Sequence, residues 1–250
     1  MPVEQGTSKR TNGSSSRKVL RVLFAFNENR SSASVEELAE LTGIPMPTAY
    51  RYVGLLKELR LLDESSPGRY GPTAQVIPLA RAAQLGNPLG LVALPVMEQL
   101  VTEFNETVIV VQFTGESAEC IRSVETDLPM RYTFQPGRTI PVGKGASGKM
   151  TLAALPPDRR ATWLNDLDAG PSLRTEIDEI IQAGFATSSG ELHLGVWACS
   201  VPITSGVPRP SVLSLSGPAA RIGDTTRAEV IAALRKSAEQ IREDWARFTI

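Results

Sequence analysis

The stretch SVEELAELTGIPMPTAYRYVGLLKELRLL, residues 34–62, leaves this chain few options. Ser34 and Glu37 stand three apart ahead of an apolar pattern, the spacing of a capping box that starts a helix. Leu38 and Leu41 are expected to face inward, and Gly43 to end the helix in a left-handed turn. Pro47 then suits a first helical turn, where its missing N–H costs nothing. In the helix that follows, Ala49, Tyr52, Val53, Leu56 and Leu59 form one apolar stripe, which leaves Thr48, Tyr50 and Arg51 on the other face. A short helix, a glycine turn and a longer helix with polar residues near its start make a helix-turn-helix. When such a unit binds DNA, those early residues enter the major groove, and a guanidinium such as Arg51 makes the commonest specific contact, to guanine. Some helix-turn-helix modules bind protein instead.

The flanks extend the unit. Val19, Val22, Leu23 and Phe26 fall at i, i+3, i+4 and i+7, which predicts a helix over residues 17–29. RLLDE and RYGP flank the turn SSPG, predicting a hairpin wing with Arg69 placed to reach a phosphate or the minor groove. Arg17 and Lys18 are further candidates for backbone contact. Residues 1–86 carry 11 Lys/Arg against 8 Asp/Glu, whereas residues 87–250 carry 15 against 19. A basic first third joined to an acidic remainder fits a polyanion partner for the first part alone.

Residues 73–86 read as a linker helix, ending in LGNPLG. Residues 87–250 read as a second domain: a helix over 89–104, then strands at TVIVVQFT, ECIRSVE and MRYTF. Helices follow near 146–155, 159–164 and 173–183, then strands at FATSS, ACSVPI and SVLSLSGP. A long amphipathic helix over 226–248 closes the chain. Six strands interleaved with helices predict an α+β domain built on one sheet, behind a winged helix-turn-helix and a linker helix.

GKGASGKMT, residues 143–151, comes within one residue of the nucleotide-binding pattern GxxxxGK[ST], with Met150 where a hydroxyl should bind magnesium. Thr151 is one position late, about 100° away around a helix. The preceding PGRTIPV is broken by prolines and reads as loop rather than central strand, and no apolar strand ends in Asp. The stretch does open a helix, ASGKMTLAAL, whose first N–H groups and positive dipole end suit an anion such as a carboxylate. A plain helix start packed through small residues is the other reading.

Enzymatic constellations are missing from the sequence: there is one histidine, His193, and no GxSxG or HExxH. No cofactor and no metal are expected. Cys120 and Cys199 read as buried small hydrophobes of a reducing compartment. The polar Ser/Gly-rich residues 1–16 read as a disordered tail, and no apolar run reaches the roughly 20 residues that span a bilayer. A cytoplasmic protein without membrane contact is expected.

GKGASGKMTLAAL, GFATSSGELHLGVWACSVPI and SVLSLSGPAARI, in that order behind a winged helix, resemble the IclR family of bacterial transcription regulators, from about Arg17 to the C-terminus. The resemblance implies a GAF/PAS-like effector domain, a homodimer or homotetramer, and a palindromic double-stranded DNA operator. It also implies a small organic or aromatic acid as effector, its carboxylate held by backbone at Ala146 and Ser147 and by the hydroxyls of Ser214 and Ser216. Ser188 and Ala198 match two further lining positions, where members often carry an acidic residue and a cysteine. Here the cysteine is Cys199, one step displaced and expected to point away from the pocket. Independently, Ser214 and Ser216 share a strand face at i, i+2. Trp197, Phe134 and Met150 are candidate apolar walls. Two rival readings are a second domain that only oligomerises and a nucleotide-binding enzyme using residues 143–151.

Overall fold

The computed structural model describes residues 15–27, 30–115, 117–203 and 209–248. Residues 1–14 of the expected tail and residues 28–29 of the expected first helix lie outside that set, whereas Ser15 and Ser16 already belong to a helix. The chain forms two compact units that divide after Ala82, a few residues before the division at 86/87 that composition suggests.

In the first unit, α1 (Ser15–Phe24) is followed by β1 (Ala33–Ser34), α2 (Val35–Thr42), α3 (Met46–Glu58), β2 (Leu62–Ser66) and β3 (Arg69–Pro72). α1 stops at Phe24, five residues earlier than expected. Arg30 Nη1 donates to Ala25 O at 3.0 Å, and Asn27 pairs with Arg30, so the chain turns there. Ser34 and Glu37 form the capping box, and Gly43 closes α2 with φ 64°. Val22, Leu38, Ala49, Tyr52, Val53 and Leu56 fill the core. Leu41 and Leu59, expected inside, are 49% and 53% exposed. Leu59 caps α3 rather than continuing its stripe, and Leu41 lies at the edge of a short helix whose interior contact is made by Leu38. β2 and β3 pair antiparallel around Pro67–Gly68, and β1 adds a third strand at the β3 edge. After a 3-10 turn capped by Thr73, α4 (Ile77–Leu85) carries no buried residue.

The second unit runs α5 (Pro88–Phe104), β4 (Thr107–Phe113), β5 (Ala118–Val124), β6 (Thr139–Ile140), α6 (Gly145–Ala154), α7 (Pro157–Asp166) and α8 (Pro171–Ala183). It ends with β7 (Ala186–Ser189), β8 (Val196–Ile203), β9 (Ser211–Pro218) and α9 (Asp224–Phe248). Its six strands form one antiparallel sheet in the order β6-β5-β4-β9-β8-β7. β4 explains the architecture. Val108 and Val110 face a core shared with α5 and α9, whereas Ile109, Val111 and Phe113 face one shared with α6 and α8. A strand buried on both faces reads as the unbroken apolar run TVIVV. The expected MRYTF strand does not form. Residues 130–134 are irregular, and the sixth strand is the two-residue edge pair Thr139–Ile140. β-propensity alone gave MRYTF no neighbour to pair with.

Candidate functional site

On the first unit, Pro47 occupies the second position of α3 and is exposed; Thr48 is half-buried, and Tyr50 and Arg51 are exposed. Tyr50 Oη donates to Glu36 Oε1 at 3.0 Å, which raises the Tyr50 phenol from its ordinary value; the Glu36 carboxyl is lowered, first by its own backbone N–H and then by the Ser34 and Tyr50 hydroxyls. Arg51 makes no hydrogen bond or ion pair with the described residues. Arg69 is engaged inside the unit. Its guanidinium donates to Glu37 Oε1 and Oε2 at 3.3 and 3.0 Å and to Ser32 Oγ and O at 3.3 and 3.1 Å. It thereby joins the wing to the capping box of α2. Arg17 is exposed and Lys18 half-buried on α1.

On the second unit, strand register brings residues distant in sequence into a row. Ser188 pairs with Ala198, and Ala198 with Ser216, so three adjacent strands present these side chains side by side. α6 points its first turn at the same row: Ala146 N donates to Ser188 Oγ at 3.0 Å. Ala146, Ser147, Ser188, Ala198 and Ser216 accordingly line one cavity of about 40 Å³. Ile109, Phe134, Ile140, Leu192 and Val196 supply its apolar walls, and Tyr132, Glu191 and His193 its remaining polar ones. Ser216 is 6% exposed, and its hydroxyl has no hydrogen-bond partner among the described residues. The Ser147 N–H, in the first turn of α6, has no helical acceptor.

Three expectations are corrected by this geometry. Ser214 does not line the cavity. It lies one row deeper, paired with Ser200 across β8, where Ser147 Oγ donates to its Oγ at 2.9 Å. Its Oγ is 2.6 Å from Ser200 Oγ and donates to Cys199 O at 3.0 Å, so the hydroxyl is fully engaged. Trp197 faces the α5/α9 core, with Arg227 over its ring at 5.6 Å, and Met150 is buried in the α6/α8 core; only Phe134 of the expected walls reaches the cavity. Cys199 points away from the cavity into the α5/α9 core, as the strand alternation predicts. Burial pushes its thiol, and that of Cys120, up to about 12.

The near-match to a nucleotide loop has a packing explanation. A Cβ on Gly148 would lie 2.0 Å from Pro141 O, so this glycine lets α6 press against the backbone before it. The lysine turns inward. Lys149, with its side chain 4% exposed, donates to Glu176 Oε1 and Glu191 Oε1 at 2.6 Å each. Burial opposes its charge, but the two carboxylates outweigh burial and raise its pKa above the ordinary value. Glu191 also accepts from Gly145 N at 3.1 Å, a negative group at the positive end of α6. Sequence reasoning missed Glu191, although a lysine inside a small, apolar helical run requires a carboxylate partner.

A winged helix-turn-helix ahead of an α+β domain with a polar cavity at a helix start defines a DNA-binding transcription regulator with a separate C-terminal domain. Two family profiles match the chain: the IclR helix-turn-helix domain over residues 15–66, and the bacterial transcriptional regulator IclR C-terminal domain over residues 87–243. The chain belongs to the IclR family of bacterial transcriptional regulators. It is 27% identical over 185 residues to the HTH-type transcriptional regulator KipR of Bacillus subtilis, covering 70% of this chain and 74% of that one. It is 25% identical over 236 residues to the probable transcriptional regulator SauR of Cupriavidus necator, covering 90% and 92%. An IclR family regulator from Brucella abortus shares the fold with a TM-score of 0.83 at 23% identity, covering 94% of each chain. An IclR homolog from Microbacterium hydrocarbonoxydans, crystallised in complex with 4-hydroxybenzoate, does so with a TM-score of 0.68 at 22% identity, covering 94% and 100%. Among the described residues no helix is long and apolar enough to cross a membrane, and no cluster of ligating side chains could hold a metal.

Proposed function

We propose that this regulator binds a palindromic operator as a homodimer or homotetramer and that a small organic acid in the second domain modulates that binding. The observation that carries the effector half is the cavity. Five of the six residues expected there line it, the Ser216 hydroxyl has no hydrogen-bond partner among the described residues, and the Ser147 N–H has no helical acceptor. A helix N–H and a strand hydroxyl side by side at the positive end of α6 suit a carboxylate. The 4-hydroxybenzoate held by a protein of the same fold accords with this reading.

On the DNA side, Arg51 is the base-reading residue, with Pro47, Thr48 and Tyr50 beside it and Arg17 and Lys18 at the backbone. Arg69, already engaged with Glu37, positions the wing. Half-sites lie about 34 Å apart or a multiple of that. The effector acts through a coupling free energy of about 1–3 kcal/mol between the sites.

A thermal-shift panel of aliphatic acids, aromatic acids and ATP with magnesium tests the effector. Ligand at roughly a hundred times Kd adds about 2.7 kcal/mol. Stabilisation by an acid that is lost in Ser216→Ala supports the reading; stabilisation by ATP alone overturns it. For DNA, Arg51→Ala on an operator recovered by selection from random duplexes lowers affinity by about 1–3 kcal/mol. Undiminished affinity removes Arg51 from the reading role.

A further inference from the structure

Four glycines lie inside the helices of the described residues: Gly54 in α3, Gly90 in α5, and Gly145 and Gly148 in α6. Glycine at such a position weakens a helix relative to alanine, so each calls for a reason. Three have one within the fold. A Cβ on Gly90 would pack on Arg122 Cβ at 3.6 Å, one on Gly145 would meet Leu192 Cδ1 at 2.8 Å, and one on Gly148 would meet Pro141 O at 2.0 Å. Gly54 has none. A Cβ there would meet nothing within 4 Å, and its backbone is ordinary helix, which alanine holds better. The surface that requires the missing side chain therefore approaches from outside the fold.

The place of Gly54 on α3 says which surface that is. Ala49, Tyr52, Val53 and Leu56 bury one face of the helix. Pro47, Arg51, Gly54 and Glu58 follow at i, i+4, i+7 and i+11 as an exposed ridge along the opposite face. Arg51, one turn before Gly54, carries a guanidinium without a partner among the described residues, whereas Glu58, one turn after it, carries a carboxylate that phosphates repel. We infer that Gly54 is where the backbone of α3 comes closest to the base edges of the operator, and that its missing side chain lets Arg51 reach guanine. This rests on the DNA-binding reading above and deepens it, by bounding the contact between Pro47 and Gly54. A Cβ at the closest point would hold the whole helix off the groove. A bidentate guanidinium contact, built on two hydrogen bonds of about 2.9 Å, tolerates little such lift. The glycine weakens α3 in the free protein and lets it seat in the complex.

The test compares full-length wild type, Gly54→Ala and Gly54→Leu by fluorescence anisotropy, on the operator recovered by selection and on a random duplex. Melting temperature and sedimentation mass are measured beside it. Alanine and leucine are both strong helix formers, so the two variants stiffen α3 alike and differ in bulk. Both are expected to melt at or above the wild-type temperature. Gly54→Ala weakens operator binding about tenfold and Gly54→Leu about a hundredfold, the scale of overfilling a packed contact. Binding to the random duplex, carried by phosphate contacts, changes by less than about threefold. Operator affinity that survives both substitutions overturns the inference, and so does an equal loss in the two, which would make helix stiffness the cause. A loss shared equally by operator and random duplex overturns it by moving Gly54 to the phosphate backbone. A lower mass for Gly54→Leu overturns it by giving the ridge to a second copy of the chain. Wild type that selects no duplex overturns the DNA-binding reading itself, and this inference with it.

Discussion

Lys149 is the most exacting place to test the geometry. Its ammonium is buried, and its two carboxylate partners, Glu176 and Glu191, keep 43% and 39% of their side chains in solvent. At 2.6 Å each attraction is roughly 6 kcal/mol gross at an effective dielectric near 20. The exposure of the carboxylates and the desolvation of Lys149 cancel most of it. Glu176→Gln or Glu191→Gln leaves one carboxylate in place, and each costs about 1–2 kcal/mol. The double variant strands a buried ammonium and costs about 3–5 kcal/mol, more than the sum of the two, a coupling of about 1 kcal/mol. The one oxygen of the amide that Glu191→Gln introduces can still accept from Gly145 N, which leaves its NH2 toward Lys149, so this variant removes the charge and the lysine's hydrogen bond together. All three tryptophans, Trp163, Trp197 and Trp245, lie in the second unit, so urea unfolding followed by tryptophan fluorescence reports on it alone. A double variant no less stable than the singles would refute the claim that the two carboxylates jointly hold the lysine. The pKa of Lys149 is raised in the folded state. Its contribution is therefore complete below the unfolded value of about 10.4 and is lost as pH rises through the folded one.

The cysteines give a second pH dependence. An unfolded thiol titrates near 8.5, whereas Cys120 and Cys199 are held neutral until about 12. The unfolded chain then loses protons first, so stability falls above pH 8.5, by about 1–2 kcal/mol per thiol at pH 10; Cys120→Ala with Cys199→Ala should flatten the slope of urea midpoint against pH, and an unchanged slope contradicts the burial argument. Gly148→Ala drives a methyl against Pro141 O and should cost at least the roughly 3 kcal/mol of a severe overpacking. Gly54→Ala, in α3 with open space around it, should instead raise the stability of the first unit by about 1 kcal/mol in far-UV circular dichroism melts. Arg221→Ala leaves the Glu106 carboxylate, 3% exposed and bound by two guanidinium nitrogens at 2.7 and 2.8 Å, without its cation. The expected cost is about 3–5 kcal/mol, and Arg221→Lys should recover only part of it, because an ammonium cannot reproduce the fork.

Local chemistry was readable directly from the residues. The capping box of Ser34 and Glu37, the stop at Gly43, the hairpin around Pro67–Gly68 and the doubly buried run TVIVV each depend on neighbours within a few positions, and each formed where its spacing implied. The alternation in β8 likewise determined that Ala198 and Cys199 face opposite sides of the sheet. Depth was decided by the tertiary structure. Ser214 and Ser216 share a face by the period of the strand, but only the seat of α6 against the sheet buries the first under Ser147 and leaves the second facing the cavity. MRYTF had the composition of a strand and no partner edge. Glu191 and Leu192 became part of the site because a loop more than 40 residues after Gly145 and Lys149 returns to the start of α6. Periodicity carries information over a turn or a strand pair; which charge neutralises a buried lysine, and how much room a cavity keeps, is set by packing between segments that the sequence holds far apart.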